Sequence, residues 1–399
     1  MRLAFVVPRF APGVLGGAEH HIGQLAGRLL RRGHDITVLT TCAVDHYTWA
    51  NALPPGADRV DGIPVRRYPV TVARDGLAMA RLQTVLDGGI ALPPALEDEW
   101  VRNTGHSEPL LGAIADAADR VDALVFAPYL FASTVLGARV RPERSLIQPL
   151  LHDEAYARFA CVQATLRGAA GILWISSGER EVAGRIIPGL PPGRVVGAGV
   201  DLPADPIDPE RERRRLGLEG TVVSYAGRRE GAKNFPLVAE AVTAANLGWG
   251  HRVTLAAMGA GPAQLPPEAR PFVRDLGRVG DDVKLGVFAA STAVLNLSAV
   301  ESLSYVVMEA WSVGTPVIVH AGCEVTRRHC RESGGGLWVR DVEEAVEAML
   351  LLAGDPSLRD RLGAAGHRHV VRHLSWEATL DRFEAAVAEL VPAPARTSP

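Results

Sequence analysis

Two doubly wound α/β domains are what this sequence predicts, on three observations. Short apolar strands alternate with amphipathic helices in two successive sets. A stretch rich in proline and charge, "LPADPIDPERERRR", separates the sets. The 399 residues are long for one core and comfortable for two.

The first set opens β-α-β. "RLAFVVP" reads as a buried strand. "GAEHHIGQLAGRLLRRG" reads as an amphipathic helix with Ile22, Leu25, Ala26, Leu29 and Leu30 on one stripe and Gly33 as its stop. "HDITVLTT" is the next strand. The alternation continues through "ALVFAPY", "SLIQPLL", "AGILWIS" and "GRVVGAG", as expected of a parallel sheet with right-handed crossovers. Residues 73 to 120 break the rhythm and read as inserted loops and helices rather than core. The linker falls at residues 202 to 215, where the basic run Arg211 to Arg215 reads as a solvated helix face. The second set holds "TVVSYAG", a helix from Phe235, "HRVTLAAMG", "FVRDLGRV", a helix from Asp281, "AVLNLS" and "TPVIVHA". The tail "WEATLDRFEAAVAEL" places Leu380, Phe383, Val387 and Leu390 on one stripe. The expected division is residues 1–202 and 203–374, with a C-terminal helix at 375–392. In such sheets ligands bind at the carboxyl ends of the strands, and two facing sheets enclose a cleft.

Composition removes several classes. A net charge of −3 gives no reason to expect nucleic acid, and no apolar run approaches a membrane span. A cytoplasmic enzyme is expected. The basic face of Arg28, Arg31 and Arg32 leaves a peripheral lipid contact open, against the plainer reading of a solvated face. Cys42, Cys161, Cys323 and Cys330 form no Cys-x-x-Cys pair. Cys323 and Cys330 bracket His329 with His320 near, but the spacing fits no common metal site, so reduced thiols and no metal are expected. Of the 42 basic residues only Lys233 and Lys284 are lysines, a bias that points to a GC-rich bacterial genome. A lysine retained against that bias is a candidate for a place where a compact point charge matters.

Four stretches carry candidate chemistry. In "ESLSYVVMEAWSVGTPVIVH", Glu301 follows a strand and Glu309 lies within a helix that starts near Ser302 or Ser304. Eight residues at about 100° each put the two acids roughly 80° apart, so they are not a glycosidase-type pair. The helix start between them offers free N–H groups to an anion, best a phosphate. Glu309 shares its spacing with Val306, Ala310 and Val313, a core-facing stripe, and needs a partner there. Two vicinal ribose hydroxyls fit; a buried structural ion pair is the competing reading. Glu301 read alone is a surface loop residue.

In "YAGRREGAKNF", Arg228 and Lys233 follow a strand and are spaced to neutralise a diphosphate. In "APGVLGGAEHH", Gly16 and Gly17 let backbone approach a phosphate, but the spacing is not G-x-G-x-x-G and no acid ends the second strand, which argues against a nicotinamide-dependent oxidoreductase. In "PLLHDEAY", His152 sits past a strand with Asp153 and Glu154 and suits a substrate hydroxyl, where an ordinary structural histidine is the alternative.

Taken in this order, the four stretches resemble the retaining glycosyltransferases of family 4, with the GT-B fold of two Rossmann-like domains. The likeness extends to "VVGAGVD", "MGAGP" and the "SWEATLDRF" tail, which in that family crosses back to the first domain. The resemblance implies transfer of a sugar, without metal or cofactor, from a nucleotide diphosphate sugar to an acceptor hydroxyl. It implies that Arg228, Lys233 and the amides of Leu303, Ser304 and Tyr305 hold the diphosphate, Glu309 the ribose, and Glu301 the transferred sugar. It places His152 on that sugar or the acceptor, and Gly16 and Gly17 where either substrate approaches. Two departures stand out: Leu303 and Ser304 replace a frequent Phe-Gly, and Asn234 replaces a frequent Gly. A non-catalytic sugar-nucleotide-binding subunit is the competing reading, which the presence of both His152 and Glu301 disfavours. Acceptor contacts are expected from Arg74, Trp100, Arg102 and His106. Nucleotide, sugar, acceptor and oligomeric state are left open.

Overall fold

The computed structural model describes all residues except 15, 230–232, 262–264 and 392–399. The middle of the "RREGAK" loop, Pro262 of "MGAGP" and Pro392 of the expected tail helix therefore lie outside the described residues. The chain divides into two compact units, one of residues 1–198 with 380–399, the other of residues 199–379.

The first unit is built on eight strands: β1 (Arg2–Val6), β2 (Asp35–Thr41), β3 (Gly56–Val60), β4 (Ile63–Tyr68), β5 (Ala123–Phe126), β6 (Ser145–Ile147), β7 (Gly171–Trp174) and β8 (Gly193–Val195). Their order is β3-β4-β2-β1-β5-β6-β7-β8. All pairings are parallel except β3 with β4. The central strands are buried on both faces, which is why "LAFVV" and "ALVF" read as continuous apolar runs. The β3–β4 hairpin was not legible in the alternation of strand and helix. Its signal is Asp61-Gly62, which takes positive φ at both positions (49° and 81°) as a tight hairpin turn requires.

Residues 73–120 correct an expectation. They form helices Gly76–Asp87, Pro94–Arg102 and Glu108–Ala118. Met79, Leu82, Leu86, Trp100, Val101, Leu110 and Ile114 pack into the same core as β1 and β5. The segment is core, because each helix turns one apolar stripe inward.

The C-terminal helix spans Trp376–Leu390. From Leu380 onward it belongs to the first unit. Phe383 is fully buried and stacks on Phe5 at 6.1 Å, and Leu390 covers Gly171. Arg32, expected on a solvated basic face, instead donates to Asp381 (2.6 Å) and Glu384 (3.2 Å) of this helix.

The second unit has six parallel strands: β9 (Thr221–Ala226), β10 (Val253–Met258), β11 (Val273–Gly277), β12 (Ala293–Asn296), β13 (Val317–His320) and β14 (Gly336–Val339). Their order is β11-β10-β9-β12-β13-β14, each pair parallel. β14 was not anticipated, since "GLWV" is four residues long and half-exposed. Helix Pro209–Leu216 opens the unit; Asp208 caps it by accepting from the amides of Glu210 and Arg211, and Gly217 ends it in the left-handed conformation. Among the described residues no helix is long and apolar enough to cross a membrane.

Candidate active site

The carboxyl ends of β9, β10 and β12 gather the second unit's candidate residues. β9 and β10 are followed by Gly227 and Gly259, which pass backbone to backbone: a Cβ on Gly259 would lie 1.8 Å from the Gly227 carbonyl oxygen. This explains the glycine of "MGAG" as a steric necessity. After Gly227 the two arginines part. Arg229 turns inward, pairs with both carboxylate oxygens of Asp275 and lies 5.4 Å over the Phe235 ring. Arg228 is exposed and has no side-chain partner among the described residues. Its carbonyl accepts from the Tyr225 hydroxyl.

Asn234 begins helix Phe235–Leu247 in the left-handed region (φ 52°). Asparagine tolerates that conformation better than other residues bearing a Cβ. Its Nδ2 also donates to the Leu297 carbonyl at 2.9 Å, tying this loop to the end of β12.

Past β12, helix Tyr305–Ser312 begins after Ser304, as the capping argument expects, but for a different reason. The Ser304 hydroxyl does not cap the helix; it accepts from Asn296 Nδ2 at 2.9 Å. Ser304 sits at φ 73°, a left-handed position that favours glycine. Both departures from the family pattern thus fall where the backbone takes positive φ. His329, between the two flanking cysteines, is buried; burial pulls its imidazole down to about 4, with Glu332 and the Leu303 backbone only partly opposing it, so it is neutral at pH 7. All four cysteines are free thiols, and among the described residues no group of three or more His, Cys, Asp and Glu is arranged to hold a metal.

Both glutamates face lysines, and these are the two lysines of the chain. Lys233 Nζ donates to Glu301 Oε1 at 2.6 Å, and Lys284 Nζ donates to Glu309 Oε1 at 2.8 Å. Glu301 is therefore not a free loop acid: its side chain is 9% exposed. Glu309 is not on the core stripe either. Val307, Met308, Ala310 and Trp311 are the buried face, set by the Trp311 indole against Gly335 and Gly366, and Glu309 lies at the half-buried edge with Val306 and Val313. Burial pushes the Glu309 carboxyl up and outweighs the lowering by Lys284. Burial pulls Lys284 down, but Glu309 and Asp281 more than offset it and leave it raised. In both acids the second oxygen, Oε2, has no partner among the described residues.

The first unit holds the remaining candidates. Gly16 precedes helix Gly17–Arg31 in extended backbone. A Cβ there would meet Glu19 Oε2 at 2.0 Å, while Gly17 faces open space. Glu19 pairs with Arg9, both nearly buried, so the chain's own carboxylate lies against the first turn of this helix. His152 is about one-third exposed (34%) and lies 3.7 Å from Glu154 Oε1, which also accepts from the Tyr129 hydroxyl at 2.7 Å. Burial pushes Glu154 up, but His152 and Tyr129 hold it below the usual carboxylate range. Glu179 carried no sequence signal. It is fully buried and accepts from the Leu151 and Ile175 amides, both at 2.7 Å; burial pushes it up to about 7. It thereby anchors the turn that presents His152.

Residues 220–355 match the family described as Glycosyl transferases group 1. D-inositol 3-phosphate glycosyltransferase 1 of Catenulispora acidiphila is 25% identical over 395 residues, covering 93% of this chain and 90% of that protein. Alpha-maltose-1-phosphate synthase of Mycobacterium tuberculosis is 25% identical over 424 residues, covering 97% of this chain and all of that one. The protein is a glycosyltransferase. Solved structures give the transferase its fold. Sucrose-phosphate synthase from Thermosynechococcus elongatus superposes with a TM-score of 0.73 at 17% identity, covering 98% of each chain. HepE of Anabaena in complex with UDP superposes at 0.70 and 16% identity, covering 98% of this chain and all of that one. This is the GT-B fold.

Proposed function

We propose that this glycosyltransferase moves a sugar, with retention of anomeric configuration, from a nucleotide diphosphate sugar to an acceptor hydroxyl. The observation that carries the reading is the pairing of both glutamates with the chain's two lysines at the carboxyl end of the second sheet, beside the exposed Arg228. The activities that the relatives are named for, and the UDP and UDP-glucose complexes of HepE, support the donor class.

In this mechanism bond cleavage builds negative charge on the leaving diphosphate. Arg228, Lys233 and the N-terminus of helix Tyr305–Ser312, with the amides of Leu303 to Tyr305, stabilise that charge where it develops, with no metal needed. Lys233 is held by Glu301 before donor binds, and the diphosphate competes for it. Glu301 then turns to the transferred sugar. Glu309 keeps one oxygen on Lys284 and offers the other to ribose hydroxyls, so the structural and the ligand readings of this residue hold together. Gly16 and Gly17 line the approach of acceptor or donor. His152, in the first unit, is assigned to the transferred sugar or the acceptor hydroxyl. The acceptor attacks from the leaving-group face and the departing phosphate takes its proton, so no covalent glycosyl intermediate forms.

Incubating a panel of UDP-, GDP- and dTDP-sugars and reading slow hydrolysis by NMR identifies the donor and the anomer first released. An inverted anomer, or a covalent adduct on Glu301, overturns the front-face reading. Activity abolished by EDTA and restored by a divalent ion overturns the metal-free one. Lys233→Ala should weaken nucleoside diphosphate binding by about tenfold, the weight of one charge-assisted contact; an unchanged affinity removes Lys233 from the site.

A further inference from the structure

The first unit contains a cavity of about 400 Å³, in the range of a small-molecule site. It is lined by residues that follow β2 (His46), β5 (Leu130, Phe131) and β6 (Tyr156), and by the helices of residues 76–102. It therefore opens at the carboxyl ends of the first sheet, where doubly wound sheets hold ligands. It is also close in the chain to the His152 cluster: Tyr156 lies two residues beyond Glu154, and Leu130 follows Tyr129, which donates to Glu154. Of the four residues expected to meet the acceptor, Arg74 and Trp100 line this cavity. Arg102 and His106 do not; His106 is buried against Glu108 instead.

The lining has an uneven chemistry. Trp100 and Tyr156 stack at 4.5 Å, and with Met79 and Phe131 they make a broad apolar wall. Of the neutral polar groups of the wall, those of Gln83, Tyr156 and Thr104 are already engaged inside the protein, while the buried Trp100 indole N–H has no partner among the described residues. Gln83 accepts from the Tyr156 hydroxyl at 2.5 Å and donates to Asp87 at 2.8 Å. Thr104 donates to the Val101 carbonyl at 2.6 Å and accepts from the Ala132 amide at 3.0 Å. Arg74 differs. It makes one hydrogen bond, to the His46 carbonyl at 3.1 Å, and no ion pair among the described residues. A guanidinium carries five N–H donors, so most of Arg74's remain for a ligand. A sugar placed here would bring many hydroxyls to a wall with few groups left to meet them, and each unmade hydrogen bond costs about 1–3 kcal/mol.

We propose that this cavity is the acceptor subsite, and that the acceptor is a ring-bearing, mainly apolar hydroxy compound with one anionic group held by Arg74. Its role as an acceptor subsite rests on the glycosyl-transfer reading; its ligand chemistry does not. The test uses calorimetry on the full chain without nucleotide, with 4-hydroxycinnamate, 4-hydroxyphenylacetate and 4-hydroxyphenyl phosphate, the methyl esters of the two acids, and maltose. The anions should bind at least about tenfold more tightly than the esters, the value of a charge-assisted contact, and maltose should not register. Arg74→Gln should remove the preference for the anions and leave the esters within about twofold. Ala80→Trp, at an exposed lining position, should block all of them. Tighter binding of maltose, equal binding of acid and ester, no binding of any anion, or full binding to Ala80→Trp overturns the proposal. UDP and GDP are titrated separately on the same samples. If they fail to bind while the anions do, it is the transfer reading that falls, and the acceptor role with it; if they bind while the anions fail, only this subsite falls.

Discussion

Replacing Lys284 by methionine isolates what Glu309 owes to its partner. Lys284 Nζ reaches Glu309 at 2.8 Å and Asp281 at 2.9 Å; the first two side chains are 20% and 21% exposed and Asp281 is 84% exposed. At an effective dielectric of about 20, unit charges at that 2.8 Å separation attract by about 6 kcal/mol, most of it offset by taking both out of water. Lys284→Met keeps the stem and removes the charge, so Glu309 retains its burial cost without compensation. Fully buried pairs lose about 3–5 kcal/mol when one partner goes; this edge position should lose about 2–3 kcal/mol at pH 7. Burial already raises the Glu309 carboxyl, and without the lysine it rises further. The loss should therefore shrink as the pH falls and Glu309 takes a proton. Adding Glu309→Gln should return about 1–2 kcal/mol as a coupling term. Urea unfolding at pH 7 and pH 5 reads all four corners of the cycle. A single-variant loss below about 0.5 kcal/mol, or no coupling, would refute the electrostatic argument. The same proteins test the ribose role. Wild type should prefer a nucleoside diphosphate to its 2′,3′-dideoxy analogue by about tenfold, and Glu309→Gln should erase that preference. A preference that survives separates Glu309 from the ribose.

Substitutions at three further positions probe the frame around the site. Asn234→Ala should lose about 2 kcal/mol, from strain at positive φ and the orphaned Leu297 carbonyl, while Asn234→Gly stays within about 1 kcal/mol of wild type; equal losses in urea melts would contradict this. Gly259→Ala should prevent the second unit from folding, at a cost of about 3 kcal/mol or more, because Cβ collides with backbone that cannot swing aside; a soluble protein with an unchanged melt refutes the close approach. Glu179 is raised from the ordinary 4.5 to about 7, so the fold favours its protonated form. Its contribution, roughly 3 kcal/mol, is complete below about pH 4.5 and is lost as the pH rises through about 7. Glu179→Gln should flatten that slope in melting curves between pH 5 and 8, and an unaltered slope assigns it elsewhere.

The strand pattern was legible because parallel strands buried on both faces leave continuous apolar runs, as in "RLAFVVP" and "AVLNLS". What escaped were elements of other kinds. In the β3–β4 hairpin the edge strand β3 is solvated and charged while β4 alternates buried and more exposed residues, and its Asp-Gly turn is the feature that marks it. The helices of residues 76–118 read as insertions, since their apolar residues become core only once three helices lie on one sheet. Arg228 and Arg229 are adjacent and chemically alike, yet one is exposed and the other is locked on Asp275, 46 residues away.

By itself the sequence determined which atoms the candidate site has available: two carboxylates eight residues apart, a helix start between them, and two lysines retained in a chain of arginines. Spacing along one element is set by backbone geometry, so such features survive in one dimension. Only the tertiary structure decided the partners. Lys233 reaches Glu301 across 68 residues because the neighbouring parallel strands β9 and β12 bring their carboxyl ends together, and Lys284 reaches Glu309 across 25 because helix Asp281–Ala289 packs against helix Tyr305–Ser312. The acids that looked unpartnered along the chain acquire their counter-charges there, since a carboxylate withdrawn from water requires one nearby.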